Sequence, residues 1–139
     1  MSPAPRIWAL SFILLAAGAR GVSAQTPDPV DENISTQDGV YTVEQARRGE
    51  KLLRDECSAC HGADWFTGSF LQAWNGATVG MLYDRISTTM PEDRPSGLKN
   101  REYSDILAYI FELNGIPPGE EELASRKSEL DKILIQWRR

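Results

Sequence analysis

The residues of this 139-residue chain best suited to redox or soft-metal chemistry stand together. Its two cysteines and its single histidine lie in DECSACHG, Asp55–Gly62, as Cys57, Cys60 and His61. A disulfide between cysteines three apart closes almost no loop and would stabilise the fold little. Tight pairs of that spacing are usually redox-active, and a thioredoxin-like pair is expected beside a βαβ pattern. The flanking sequence reads as helix instead. A structural zinc site needs four ligands, and this cluster offers three.

The remaining reading of Cys-x-x-Cys-His is a c-type haem attachment site. Cys57 and Cys60 would form thioethers to the haem vinyl groups, and His61 would be the proximal ligand of the iron. The distal ligand is then sought among the methionines, because Met opposite His suits electron transfer. Met90 precedes Pro91 in an irregular stretch, where a stiff backbone can aim its side chain. Met81 lies two residues beyond Val79, about 200° around a helix from the apolar stripe, so Met90 is the expected ligand. Filling a core gap is the plainer role for either methionine. Trp74 is a candidate for contact with a haem propionate, and a packed core tryptophan is the equal alternative. Arg85, Arg94 and Lys99 could neutralise propionates, although solvated surface charge is the simpler reading of each.

These residues need elements to hold them. Residues 1–24 carry Arg6, then an apolar run from Ile7 to Ala17, then Val-Ser-Ala. That layout predicts a secretory signal peptide cleaved after Ala24, since about 20 apolar residues are needed to span a bilayer. The mature chain is therefore expected to be periplasmic and to lack a transmembrane segment. The whole chain has 15 basic and 20 acidic residues, net −5. Losing Arg6 and Arg20 makes it more acidic, without the basic stripe that nucleic acid requires. Residues 25–40 are polar and Pro-containing and predict a disordered lead-in.

A helix is expected from Thr42, capped by a reciprocal Thr42–Gln45 box, with Ala46, Gly49, Leu52 and Leu53 on one face. Gly49 costs about 1 kcal/mol inside a helix and so points to a close helix crossing. The segment after His61 reads as irregular. A second helix starts near Thr78, with Val79, Leu82, Tyr83 and Ile86 as its apolar stripe. STTMPEDRPSG, from Ser87, reads as a loop. The last clear helix runs over NREYSDILAYIFELNG, capped by Asn100 and stopped at Asn114-Gly115. The tail pattern suits helix or strand equally.

Taken together, RRGEKLLRDECSACHG and SDILAYIFELNG resemble the first and last helices of the class I, single-haem cytochromes c. The likeness covers about Val40 to Gly119. It implies an all-α fold of three to five helices around one covalent haem c, and pairs Gly49 with Tyr109 across the helix crossing. Residues 41–119 would be the cytochrome domain, and 120–139 a C-terminal extension packed on it. TTMPEDRPSGL, YSDILAYI and WNGATVGMLYDRI further resemble the small cytochromes that serve quinoprotein (PQQ-dependent) dehydrogenases. The implied role is an electron carrier rather than an enzyme, possessing a dehydrogenase donor and a cytochrome or oxidase acceptor. One departure stands out: the family proline that follows the motif and holds the proximal histidine has no counterpart between His61 and Pro91. Two other classes stay open. A haem sensor or peroxidase-like protein would have a labile sixth ligand, and a thiol–disulfide oxidoreductase would have titratable thiols and no haem.

Overall fold

The computed structural model describes residues 34–138, so the expected signal peptide and most of the lead-in lie outside the described residues. In chain order these residues form β1 (Ile34–Ser35), α1 (Val43–Glu56), α2 (Ser69–Ala73), α3 (Val79–Thr89), α4 (Asn100–Leu113), α5 (Lys127–Leu130) and β2 (Ile133–Leu134). The fold is all-α in substance, since β1 and β2 are two-residue strands paired in parallel. No helix among the described residues is long and apolar enough to cross a membrane.

The centre of the fold is the packing of α1 on α4. Thr42 caps α1, its hydroxyl accepting the Gln45 N–H at 3.1 Å. The crossing is close because Gly49 has no side chain. A Cβ there would lie 1.8 Å from the Asp105 carbonyl oxygen and 3.0 Å from the Tyr109 Cβ. Close approach between backbones repays the poor helix propensity of glycine. Beside the crossing, Arg48 donates twice to the buried Asp105 carboxylate, both at 2.9 Å, and once to Glu122 at 2.9 Å. Fork-shaped pairing of this kind fixes orientation as well as contact.

Gln45 departs from the expected reciprocal cap. Its side chain is fully buried and turns to the tail, accepting the Leu123 N–H at 2.7 Å and donating to the Leu123 carbonyl at 3.0 Å. A buried amide must satisfy both donor and acceptor, and an extended backbone supplies both at once. The tail itself is neither all helix nor all strand: α5 turns it, β2 continues it, and Leu123, Leu130, Ile133 and Ile135 are buried.

Residues 34–40, expected within the disordered lead-in, are folded. Ile34 and Ser35 pair with Ile133 and Leu134, while the buried Thr36 hydroxyl accepts the Gln136 N–H at 3.0 Å. Polar composition argues for disorder only where no partner is present, and here the partner arrives from about one hundred residues along the chain. The next residue, Tyr41, is fully buried and donates its hydroxyl to the Ile116 carbonyl at 2.7 Å.

Burial, and then the Glu112 carboxylate, pushes the Tyr41 hydroxyl up to about 12. Because the folded value is raised, its stability contribution is whole below the ordinary tyrosine value and is lost as pH climbs past it. Stability should therefore fall by about 1.4 kcal/mol per pH unit between roughly pH 10 and 12 from this group. Urea titrations of the parent and Tyr41→Phe across that window should show the smaller slope in the variant.

Three element boundaries differ from expectation. α3 runs on through Ser87 to Thr89, because Pro91 constrains only the residue before it and the Thr88 and Thr89 hydroxyls bond back to Asp84 and Arg85 carbonyls at 2.6 Å. Lys99 rather than Asn100 occupies the cap position of α4, where the Glu102 carboxylate accepts the Lys99 N–H at 2.7 Å. The stretch after His61 contains a 3-10 turn, Ala63–Phe66, and the short α2.

Candidate functional site

The site begins where α1 ends. Cys57 occupies the C-cap of α1 with its N–H on the Leu53 carbonyl at 2.9 Å. The Cys57 carbonyl then accepts the N–H groups of Cys60 at 3.1 Å and His61 at 2.9 Å. This tight turn sends both sulfurs and the imidazole into the wall of one cavity of about 930 Å³. That volume lies towards the upper end of the roughly 300–1,000 Å³ typical of cofactor pockets.

Both thiols are free, Cys57 half-buried and Cys60 exposed. Burial first, and then Glu56, pushes the Cys57 thiol above its ordinary value. A disulfide-exchange nucleophile needs the opposite shift, because the thiolate is the reactive form. Among the described residues, no group of three or more His, Cys, Asp and Glu side chains is arranged to hold a metal ion directly.

On the His61 side, aromatic rings pack against the imidazole. The imidazole lies 4.5 Å, centroid to centroid, from Trp65 at 36°, and 5.7 Å from the edge-on ring of Phe66. Phe70 extends the cluster, 5.0 Å from Trp65 and 5.6 Å from Phe66. Asn114, at the C-cap of α4, ties this segment down. Its amide donates to the carbonyls of Phe66 at 2.9 Å and Ile110 at 2.7 Å, and accepts the Gly68 N–H at 2.8 Å. Gly68 has φ +56°, ψ −100°, a backbone shape that only glycine adopts readily. Asn114→Ala should cost about 1–3 kcal/mol, since it strands these backbone groups together. Thermal unfolding followed by circular dichroism would measure the loss.

The opposite support is the end of α3. Pro91 disfavours helical backbone at Met90, which is extended at φ −128°, ψ 150°. Met90 lines the same cavity as Cys57, Cys60 and His61. Met81 does not, and is 54% exposed on α3. The loop after Met90 is folded back: Ser96 donates its N–H to the Ser87 carbonyl at 2.9 Å, and Arg94 forms an ion pair with Glu56 beside Cys57. Trp74 lines the cavity too, as do Arg85 and Arg94, whereas Lys99 is not part of its wall. The remaining wall is largely apolar, with Leu82 and Ile86 from α3 and Ile106 and Ile110 from α4.

Trp65, Phe66, Phe70 and Asn114 are the residues that sequence reasoning passed over. The aromatic density of DWFTGSF was a usable signal for the first three. Nothing in the pattern around Asn114 separates a helix stop from a residue that braces a distant segment.

The residues present fit a haem: two free thiols and an imidazole share one wall of a mostly apolar cavity of adequate size, and a methionine side chain lines it as well. Residues 44–110 match the model of a protein family described as cytochrome C oxidase, cbb3-type, subunit III. Neither the curated proteins nor the solved structures contain a significant match. With α1, α3 and α4 around such a cavity, the family match over residues 44–110 supports a class I c-type cytochrome domain, implies covalently bound haem c and supports haem-based electron transfer.

Proposed function

We propose that the protein is an exported, periplasmic one-electron carrier in which Cys57 and Cys60 hold the haem and His61 and Met90 are its axial ligands. Its donor is a quinoprotein or similar periplasmic dehydrogenase, and its acceptor a cytochrome or oxidase of the respiratory chain. The observation that carries the ligand set is that Cys57, Cys60, His61 and Met90 line one cavity, while Met81 faces solvent.

The bound haem supplies a one-electron ferric–ferrous couple. The protein's part is placement and shielding. The Cys57–His61 turn sets thiols and imidazole together, α3 and Pro91 hold Met90, and Phe66, Leu82, Ile106 and Ile110 keep water from the interior. Because His61 and Met90 would both be engaged in holding the group, no substrate would reach the metal, and electrons would pass by contact with a partner. Redox partners generally meet through small, weak interfaces, which suits turnover.

Visible spectra of protein exported from a host able to attach haem test this reading. A haem spectrum that survives acid–acetone extraction, and is lost from Cys57→Ser/Cys60→Ser, is expected. Colourless protein with two titratable thiols would instead indicate the oxidoreductase alternative. A mature N-terminus at Gln25, found by mass spectrometry, would support export, and reduction by a purified quinoprotein dehydrogenase would test the donor.

A further inference from the structure

Met90 owes its placement to more than its own helix. The last carbonyls of a helix lack intrahelical donors and must find them elsewhere. For Met90 that donor is a side chain thirteen residues on: the Tyr103 hydroxyl donates to the Met90 carbonyl at 2.7 Å. The same hydroxyl accepts the Leu98 N–H at 3.4 Å, so one oxygen touches both ends of the Met90–Leu98 loop.

Tyr103 is well fixed for this task. It is 2% exposed, sits in the first turn of α4, and packs edge-on against the buried Tyr83 of α3 at 6.1 Å. α4 in turn is locked onto α1, whose end carries Cys57, through the Gly49 crossing. The hydroxyl therefore ties the methionine loop to the element that is packed most closely against the haem-attachment helix. The other tether of the loop, Arg94 to Glu56, is partly exposed and weakened by solvent.

We propose that Tyr103 is a positioning residue for the distal ligand: its hydroxyl holds the Met90 carbonyl and so keeps the methionine sulfur from leaving the iron. This rests on Met90 being the axial ligand. Without the hydroxyl the carbonyl loses its donor, and the ligand-off form of the loop becomes more populated. One hydrogen bond of ordinary net strength corresponds to roughly a tenfold change in that population. An added ligand that captures the ligand-off form should gain the same factor.

The test is imidazole titration of the ferric holoprotein. Tyr103→Phe keeps the ring and should bind imidazole roughly tenfold more tightly, while retaining the sulfur-to-iron absorption band when imidazole is absent. Tyr41→Phe removes another buried tyrosine hydroxyl, one bonded to Ile116 instead, and should leave imidazole affinity at the parent value. Unchanged affinity in Tyr103→Phe overturns the proposal, as does an equal gain in Tyr41→Phe, which would mean general loosening. Met90→Ala separates the underlying reading. If its absorption band persists, the axial assignment itself has failed and the role of Tyr103 falls with it. If the band disappears, the Tyr103 titration decides the proposal alone.

Discussion

Met90→Ala is expected to remove the sulfur-to-iron absorption band, lower the reduction potential and open the ferrous protein to carbon monoxide. Met81→Ala should change none of these. The contrast follows from placement: Met90 lines the cavity that holds Cys57, Cys60 and His61, whereas Met81 is 54% exposed and outside it. A thioether opposite histidine favours the ferrous state, so its loss should shift the potential downward. The backbone at Met90 is held independently of its side chain, through its N–H on the Ile86 carbonyl at 2.8 Å and its carbonyl on Tyr103. The variant should therefore fold, and optical spectra with potentiometry can be read without a stability correction. Survival of the band in Met90→Ala and its loss in Met81→Ala would reverse the assignment.

The second large effect concerns folding. Gly49→Ala should destabilise the domain by about 3 kcal/mol or more, at the upper end of overpacking costs. At an uncrowded helix position the same change would stabilise by about 1 kcal/mol, because alanine is the better helix former. The sign therefore decides the matter. The new Cβ would fall 1.8 Å from the Asp105 carbonyl oxygen, a backbone atom that cannot swing aside as a side-chain tip could. Separating the helices would also strain the Arg48–Asp105 pairing next to the contact. For a domain of this size, such a loss corresponds to a fall of roughly 12–24 °C in Tm, measurable by calorimetry. A neutral or stabilising result would mean that α1 and α4 do not cross closely at Gly49.

Much of the site was legible because its chemistry is local. Cys57, Cys60 and His61 lie within five residues, and one helix end with one turn brings them together. Met90 could be singled out because Pro91 governs the backbone beside it. The three longer helices were legible for the same kind of reason, since caps and apolar periodicity act over a few residues. Even Gly49 could be read as a crossing point, as its cost within a helix demanded a compensating contact.

Where reading failed, the deciding partner was far along the chain. Gln45 looked like half of a helix cap, but its amide is satisfied by Leu123. Thr36 looked like part of a disordered polar leader, but bonds to Gln136. Asn114 looked like a simple helix stop, and braces the segment behind His61. Hydrogen-bond donors and acceptors have no periodicity that announces a remote partner, and only folding brings such groups within 3 Å.

The sequence by itself therefore determined the Cys57–His61 cluster, the helices beside it and the need for a close α1–α4 contact. Each follows from short-range sterics and spacing. Tertiary structure alone decided that the rings of Trp65 and Phe66 pack beside His61, that Ile34–Ser35 pairs with Ile133–Leu134, and that Tyr103 anchors the Met90 loop. Those outcomes depend on which buried polar and aromatic groups meet once α4 has packed across α1.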